Sequence, residues 1–295
     1  MNNCAVVVTY NPSLNVLQLV KSLQKQNVFV IIVDNNSDSF DFTSLSNSDF
    51  CRVLILNSNE GIASAQNKGV NLAVKSGANN IIFFDQDSTI PEDYVENLIS
   101  DYEFLLSNNK KVAAIGPRFI DERYDFFYPA LKLNKYGLIS KFDVSTISEP
   151  KEVSVLISSG TLIPVDVLNI VGLMREEFFI DFVDTEWCFR ALNKGFKNYV
   201  SSKSVMRHSI GDDVIKFWGF NIPVHSAFRR YFRVRNLFFM LQMPYIPKIL
   251  TLKLMISNFF HQILLIILKK NKIDYFNYYL KAIKDGIKQG RSYNV

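Results

Sequence analysis

Cysteine is scarce in this 295-residue sequence, which contains three widely separated cysteines, Cys4, Cys51 and Cys188. Their number and spacing fit neither a disulfide framework nor a cysteine metal site. The residues before the first hydrophobic run also lack the basic and apolar regions of a signal peptide. These absences predict a protein of a reducing cytoplasm.

Two common nucleotide-binding signatures are missing as well. No G-x-G-x-x-G follows the first hydrophobic run, which argues against a dinucleotide-binding Rossmann site, and no G-x-x-x-x-G-K-[ST] is present, which excludes a P-loop. The same lack of a Gly-rich phosphate loop disfavours a nucleotidyltransferase. There is no internal repeat and no low-complexity tract.

Charge is modest in total but uneven along the chain. The formal net charge is +5, with carboxylates concentrated before residue 190 and basic residues after it. This asymmetry predicts an acidic site in the first part and an anionic partner for the second. Nucleic acid, an anionic lipid surface and a pyrophosphate group all fit that partner.

Short β-branched runs alternate with segments of helical periodicity. Strands are predicted at 4–8, 28–33, 52–56, 80–84, 111–115, 153–157 and 197–201, and helices at 60–76, 91–106, 184–194 and repeatedly after about 225. Residues 117–150 are predicted to form an irregular excursion around the site. The alternation indicates an α/β fold with a mostly parallel central sheet, in which ligands bind at the carboxyl ends of the strands.

Polar side chains follow several of these strands. Asp85 and Asp87 come directly after a buried strand, and two carboxylates at one strand end can bind a hard cation such as Mg²⁺ or Mn²⁺. A loop of solvated aspartates is the alternative, because a lone D-x-D is common by chance. Thr9, Tyr10 and Asn11 follow the first strand, and Asp34 and Asn36 follow the second, where they could hydrogen-bond a base and a ribose.

A second group of acids lies among apolar and aromatic residues in FIDFVDTEWCFRA. Asp184, at a predicted helix start, is a candidate general base, and a helix cap is the structural alternative. Asp181 and Glu186 lie nearby, and Arg190 stands four residues after Glu186, which predicts an ion pair. His208, after a later strand, is a candidate metal ligand or a structural histidine.

The segments VVVTYNP, VDNNS, NEGIASAQNKG, FFDQDS, SSG and FIDFVDTEWCFRA, in this order over roughly residues 4–240, resemble family 2 glycosyltransferases. Within that family the sequence is similar to bacterial rhamnosyltransferases of O-antigen, lipopolysaccharide and capsule synthesis. The resemblance implies a GT-A fold, inversion of the anomeric centre and a divalent cation, Mg²⁺ or Mn²⁺. It also implies dTDP-L-rhamnose as the favoured donor, with a UDP-sugar as the alternative.

The resemblance further implies roles for individual residues. Asp184 would be the base, and Asp85, Asp87 and His208 would hold the metal. The nucleotide-sugar pocket would be lined by Thr9, Tyr10, Asn11, Asp34, Asn36, Asn59, Gly61, Asn67 and Asp85. The acceptor, a glycan on a polyprenyl pyrophosphate carrier and not a nucleic acid, would contact Ser159, Trp187, Arg229, Arg230 and Arg235. A non-catalytic glycan- or lipid-binding module is the rival class, although it would not need both acidic segments.

The end of the sequence is basic and aromatic. Residues 254–268 carry no charged side chain, but this run is shorter than the roughly 20 apolar residues of a spanning helix. A buried or interfacial helix is therefore favoured over a transmembrane one, and Lys269, Lys270 and Lys272 fit a helix lying on an anionic membrane. Internal packing of the aromatics, or a homodimer through these helices, is the alternative. We expect a catalytic GT-A domain at 1–240 and a membrane-associating helical extension at 241–295, on the cytoplasmic face of the bacterial inner membrane.

Overall fold

The computed structural model describes residues 2–121, 125–208, 213–217 and 220–290; for His208 and for 213–217 and 220–223 it describes the backbone alone. The chain forms two compact units. The first unit comprises Met1–Lys132, Ser140–Phe179 and Val183–His208. The second comprises Leu133–Ile139, Ile180–Phe182 and Ser209–Val295.

The described strands are β1 Asn3–Thr9, β2 Phe29–Asp34, β3 Cys51–Ile55, β4 Asn80–Asp85, β5 Val112–Asp121, β6 Ala130–Leu133, β7 Ile139–Phe142, β8 Lys151–Val153, β9 Leu162–Pro164, β10 Lys197–His208, β11 Asp213–Phe217 and β12 Phe220–Val224. The described helices are α1 Asn15–Lys25, α2 Thr43–Ser46, α3 Gly61–Lys75, α4 Tyr94–Ser107, α5 Val165–Val171, α6 Val183–Asn193, α7 Ala227–Gln242, α8 Lys248–Leu268 and α9 Lys272–Gly290.

The first unit is built on an eight-stranded sheet in the order β3-β2-β1-β4-β9-β5-β10-β8. Strands β3, β2, β1 and β4 run parallel to one another, as do β5 and β10, whereas β9 and β8 are antiparallel to their neighbours. The prediction of a mostly parallel α/β sheet is confirmed. In register, Thr9 pairs with Asp34 and Val8 with Asp85, so the ends of β1, β2 and β4 meet at one edge.

One strand prediction is wrong. Residues 153–157 were expected to form a strand of the sheet, but β8 ends at Val153 and the strand inserted between β4 and β5 is β9. Leu162 and Ile163 of β9 are 0% and 3% exposed, whereas Ile157 is 36% exposed. The residues of β9 are therefore buried on both faces, as expected for a central strand of the sheet.

Helix α1 shows how the sequence covers this sheet. Val16, Leu19, Val20 and Leu23 repeat at helical spacing, are buried and belong to the core cluster that includes residues of β1 and β2. Burying each of these side chains contributes about 1.5–3 kcal/mol. Replacement of Leu23 by Ala would cost about 2–5 kcal/mol, because it would leave a cavity against the sheet.

The second unit contains the β11–β12 hairpin and helices α7, α8 and α9. Helices α7 and α9 pack closely, since a Cβ on Gly286 would lie 2.7 Å from the ring of Phe238. The expected series of basic, aromatic helices is confirmed. Helix α8 begins at Lys248, before the uncharged run at 254–268, and ends with it. It is the one helix of the described chain whose length and apolar composition would allow it to cross a membrane. That property is weak support for a membrane span, because core helices of soluble proteins share it.

Candidate active site

Asp34 organises the polar loops that follow β1 and β2. Its Oδ1 accepts hydrogen bonds from Thr9 Oγ1 at 2.7 Å and from Ser37 Oγ at 2.6 Å, and its Oδ2 accepts one from the Ser37 N–H at 2.7 Å. Thr9 and Asp34 are both fully buried. The two buried residues thus hold the loops at this sheet edge in place, and their more exposed neighbours form its surface.

Those neighbours are Tyr10, Asn11 and Asn36. Tyr10 donates its N–H to Gln86 Oε1 at 2.7 Å, while its side chain is 48% exposed. Asn11 donates its N–H to Ser37 Oγ at 2.7 Å. Asn11 and Asn36 both have positive φ, 48° and 63°, a conformation that Asn tolerates better than most residues. The ends of β1, β2 and β4 are therefore tied together, with an aromatic ring and two amides at the surface.

The acidic segment at the end of β4 is held by the small-residue turn at 158–160. Asp85 is half-buried and Asp87 is exposed. Ser159 Oγ accepts the Asp85 N–H at 3.2 Å and hydrogen-bonds Ser88 Oγ at 2.9 Å. Ser159 is fully buried and positions the acidic segment through these bonds, while its predicted contact with the acceptor stays a prediction.

Gly160 allows this turn to lie against β4. Its N–H donates to Phe83 O at 2.6 Å, its carbonyl accepts the Tyr94 hydroxyl at 2.5 Å, and its φ is +73°. A Cβ at this position would overlap the Tyr94 hydroxyl and approach Pro117 to 2.9 Å. Only glycine combines this φ with this clearance.

Other groups of the protein pack against the start of α3. Gly61 has φ +85°, and a Cβ there would lie 2.6 Å from the Phe179 carbonyl oxygen, which accepts the Ile62 N–H at 2.7 Å. Asn59 Oδ1 accepts the Gly61 N–H at 3.0 Å. Asn67 is buried and bonds the N–H and the carbonyl of Met174, both at 2.9 Å. Gly61 and Asn67 thus have packing partners within the protein, and their predicted nucleotide contacts stay predictions.

The three acids around the start of α6 have different partners. Glu186 is fully buried and ion-paired with Arg190 at 2.8 Å, which confirms the predicted pair, and with Arg175 at 3.4 Å. Asp181, in the second unit, is paired with Arg233 at 3.1 Å and Arg229 at 3.4 Å. Both carboxylates are therefore neutralised by arginines.

Asp184, the second residue of α6, is half-buried. Its Oδ1 accepts the Thr185 N–H at 2.7 Å and its Oδ2 accepts the Ser158 N–H at 3.3 Å. It borders a small cavity with Leu156 and Cys188, and burial raises the pKa of the Cys188 thiol to about 12. The carboxylate thus lies at the helix start, beside the turn that positions Asp85.

The chemistry at the end of β4 suits a hard divalent cation, since carboxylate oxygens are its preferred ligands. Asp85 and Asp87 supply two carboxylates, but within the described residues no three His, Cys, Asp or Glu side chains are grouped as a metal site. His208 ends β10, in register with Asp121 of the parallel strand β5. The side chain of His208 lies outside the described residues, so its predicted ligation stays a prediction.

Three residues with predicted acceptor contacts, Trp187, Arg230 and Arg235, have packing partners within the protein, and those acceptor contacts stay predictions. Trp187 is 1% exposed and donates its indole N–H to Gly172 O at 2.9 Å. Arg230, also 1% exposed, donates from Nη1 to Asn258 Oδ1 at 2.8 Å, and burial lowers its pKa to about 10. Arg235 is buried with its guanidinium 4.7 Å from the centre of the Phe232 ring.

Several residues that hold the site are not among the site residues predicted from the sequence. Gln86, Ser37 and Asn35 bond backbone groups of neighbouring loops; Asn35 Oδ1, for example, accepts the Glu60 N–H at 3.1 Å. Lys68 donates to Glu60 Oε1 at 2.5 Å and lowers the pKa of that carboxyl. All five residues lie inside the motifs quoted above, next to predicted ligands. Their polar side chains at those positions were the feature that could have identified them.

Comparisons with known proteins agree with this architecture. The model of the family described as "Glycosyl transferase family 2" matches residues 4–170. The dTDP-rhamnosyl transferase RfbF of Shigella flexneri is 41% identical over 288 residues, which cover 97% of this chain and 96% of that protein.

Two solved structures share the fold at low identity. The structure of GalNAc-T7 with UDP, GalNAc and Mn²⁺ aligns with a TM-score of 0.59 at 14% identity, covering 83% of this chain and 52% of that one, about half its length. The structure of residues 1–349 of S. aureus TarS in complex with UDP-GlcNAc aligns with a TM-score of 0.57 at 16% identity, covering 98% and 81%. The expected GT-A fold is confirmed. With its family match and its relative along nearly the whole chain, the protein belongs to glycosyl transferase family 2 and is a glycosyltransferase.

Proposed function

We propose that the protein transfers L-rhamnose from dTDP-L-rhamnose to a glycan acceptor in the synthesis of a cell-surface polysaccharide such as O-antigen. The observation that carries this proposal is the 41% identity to the Shigella flexneri dTDP-rhamnosyl transferase along nearly the entire chain. Identity of this level over both chains is evidence for a shared donor. It outweighs the distant structural neighbours as evidence for any other donor.

The donor nucleotide would bind at the shared edge of β1, β2 and β4. The exposed ring of Tyr10 offers a face on which a pyrimidine can stack, and Asn11 and Asn36 offer amides to the ribose. Asp34 and Thr9 lie beneath them and would act by holding these loops in shape. The buried residues would thus hold the exposed residues in position before the donor binds.

Asp85 and Asp87, together with His208, would hold Mg²⁺ or Mn²⁺. When bound, such a cation neutralises negative charge on a pyrophosphate leaving group. The chain contributes the two carboxylates at the end of β4 and the buried Ser159 that fixes the first of them. Asp87 is the more exposed acid and so the better placed to meet a ligand from solvent.

Asp184 would act as the general base. A carboxylate oxygen of Asp184 takes the proton of the acceptor hydroxyl as the hydroxyl oxygen attacks the anomeric carbon of the sugar. The bond from that carbon to the β-phosphate oxygen breaks, dTDP leaves with the electron pair, and the anomeric centre inverts. Glu186 and Asp181 are weaker candidates because arginines neutralise both.

The acceptor would be a glycan on a polyprenyl pyrophosphate carrier, met at the cytoplasmic face of the inner membrane. Helix α8 supports membrane attachment, because its exposed side carries large apolar side chains, including Ile249, Ile256, Phe260 and Ile267 at 51%, 60%, 65% and 62% exposure. Lysines flank this side at Lys248, Lys269 and Lys270, and each would add about 1 kcal/mol of attraction to an anionic surface.

Calorimetry with the full-length protein and Mn²⁺ tests the donor. We expect dTDP to bind more tightly than UDP or GDP. Tight binding of UDP or GDP without binding of dTDP would refute the rhamnosyl proposal and favour a different nucleotide sugar.

A further inference from the structure

A cavity of about 370 Å³ opens among helices α7, α8 and α9 of the second unit. Its walls are mainly apolar and include Val234, Leu237, Ile256, Phe259, Phe260 and Ile283. An apolar cavity of about 150 Å³ stays dry and accommodates benzene. By that ratio this cavity has room for a chain of roughly 15 carbon atoms.

The amide of Asn258, which also reaches the cavity, is already engaged. Asn258 Oδ1 accepts from Arg230 Nη1 at 2.8 Å, and Asn258 Nδ2 donates to Leu254 O at 2.9 Å. A sugar or a nucleotide would lose its hydrogen bonds to water here without sufficient replacement, which is costly. A hydrocarbon ligand has no such cost.

Part of the cavity wall is formed by exposed apolar side chains of α8. Three of its wall residues, Ile256, Phe259 and Phe260, are 60%, 45% and 65% exposed. On the buried side of α8, Asn258 and Gln262 bind the guanidinium of Arg230, while large apolar side chains of the same helix are exposed. An exposed apolar surface that leads into an apolar cavity is the arrangement expected for lipid capture.

An exposed lysine side chain lies on the same side of the helix. Lys253 is exposed and precedes Ile256 by three residues and Phe260 by seven, which places these three residues on one face of α8. The lysine can therefore attract an anionic group while the attached chain enters the cavity. This combination selects an anionic amphiphile over a neutral hydrocarbon.

We propose that this cavity binds one linear hydrocarbon chain of an anionic amphiphile. Two sources share that chemistry, namely the acyl chain of a membrane lipid and the isoprenoid chain of a lipid-linked phosphate. The site depends on the second unit alone and would stand even if the donor were not dTDP-rhamnose; only its isoprenoid source rests on the proposed lipid-linked acceptor.

Fluorescence titration of the full-length protein with cis-parinaric acid, a fatty acid that fluoresces when its chain is bound, tests the site without membranes. We expect saturable binding at one equivalent per chain. Ile256→Asp places a charge in the cavity wall and should weaken binding at least ~10-fold, or ~1.4 kcal/mol. Ile267→Asp is the matched control on the same helix, at nearly equal exposure but outside the cavity wall, and should change binding by less than ~2-fold.

Competition then identifies the source of the chain. Displacement of parinaric acid by palmitate alone assigns the site to acyl chains, and displacement by farnesyl phosphate assigns it to isoprenoid chains; either result supports the proposal. Binding that does not saturate, or equal loss in Ile256→Asp and Ile267→Asp, would mean nonspecific adsorption to α8 and overturn it. Calorimetry of the same variants with dTDP reports separately on the donor site.

Discussion

The backbone N–H of Ser158 donates a hydrogen bond to Asp184 Oδ2 at 3.3 Å. The next residue, Ser159, accepts the N–H of Asp85 at 3.2 Å. One short turn therefore links the candidate base at the start of α6 to the candidate metal ligands at the end of β4. A displacement of this turn would therefore disturb both the candidate base and the candidate metal ligands.

Asp184→Asn should reduce the chemical step at least ~100-fold, the lower end of the range for loss of a general base. The amide keeps the shape of the carboxylate but cannot accept the proton. Single-turnover kinetics measure the step, and calorimetry should find donor affinity little changed. Weak donor binding with high residual turnover would instead make Asp184 a donor ligand or a helix cap.

Asp87→Ala should abolish turnover while the protein stays folded, because it removes a carboxylate from the cation site without disturbing a buried contact. EDTA should have the same effect on the native enzyme. Glu92→Ala is a suitable control, since Glu92 is an acid close in sequence whose side chain is 88% exposed. An active Asp87→Ala enzyme, or activity that EDTA does not touch, would exclude the metal proposal.

Ser159→Ala should weaken the apparent affinity for Mn²⁺ by about 10–100-fold, the usual effect of losing a residue that orients metal ligands. The substitution removes the hydroxyl that accepts the Asp85 N–H and bonds Ser88. Ser158→Ala is the matched control, because it keeps the backbone N–H that Asp184 accepts. Metal titrations of activity compare the two variants, and equal affinities would show that Ser159 does not position the site.

The sequence predicted the elements well where the hydrophobic pattern was regular, as in β1, β2, β4 and α3, and the strand ends with their polar residues followed from the parallel order. It did not predict which polar residues face inward. Asn67 and Arg230 look like ligand-binding residues in the motifs, yet each is buried against partners distant in sequence, Met174 and Asn258. The tertiary structure brings such distant partners together, so a local sequence pattern does not reveal them. The division into a catalytic domain and an extension at residue 240 stays a prediction about function.

Flotation with anionic vesicles tests the membrane proposal. The double substitution Ile263→Asp and Ile267→Asp charges the apolar side of α8 outside the cavity wall and should abolish binding, because charges cannot enter the hydrocarbon region cheaply. Ile170→Asp, on α5 of the first unit at 54% exposure, should have no effect. Native binding should also weaken at high salt. Failure of the native protein to float at low salt would rule the attachment out.

The most direct test of the central proposal is turnover with a panel of nucleotide sugars in the presence of Mn²⁺, with each donor scored for release of its nucleotide diphosphate by the native enzyme and by Asp184→Asn. The account predicts that dTDP-L-rhamnose is consumed faster than UDP-glucose, UDP-GlcNAc or GDP-mannose, and that the variant loses this activity. Preference for a UDP- or GDP-sugar, or no turnover of dTDP-L-rhamnose, would contradict it.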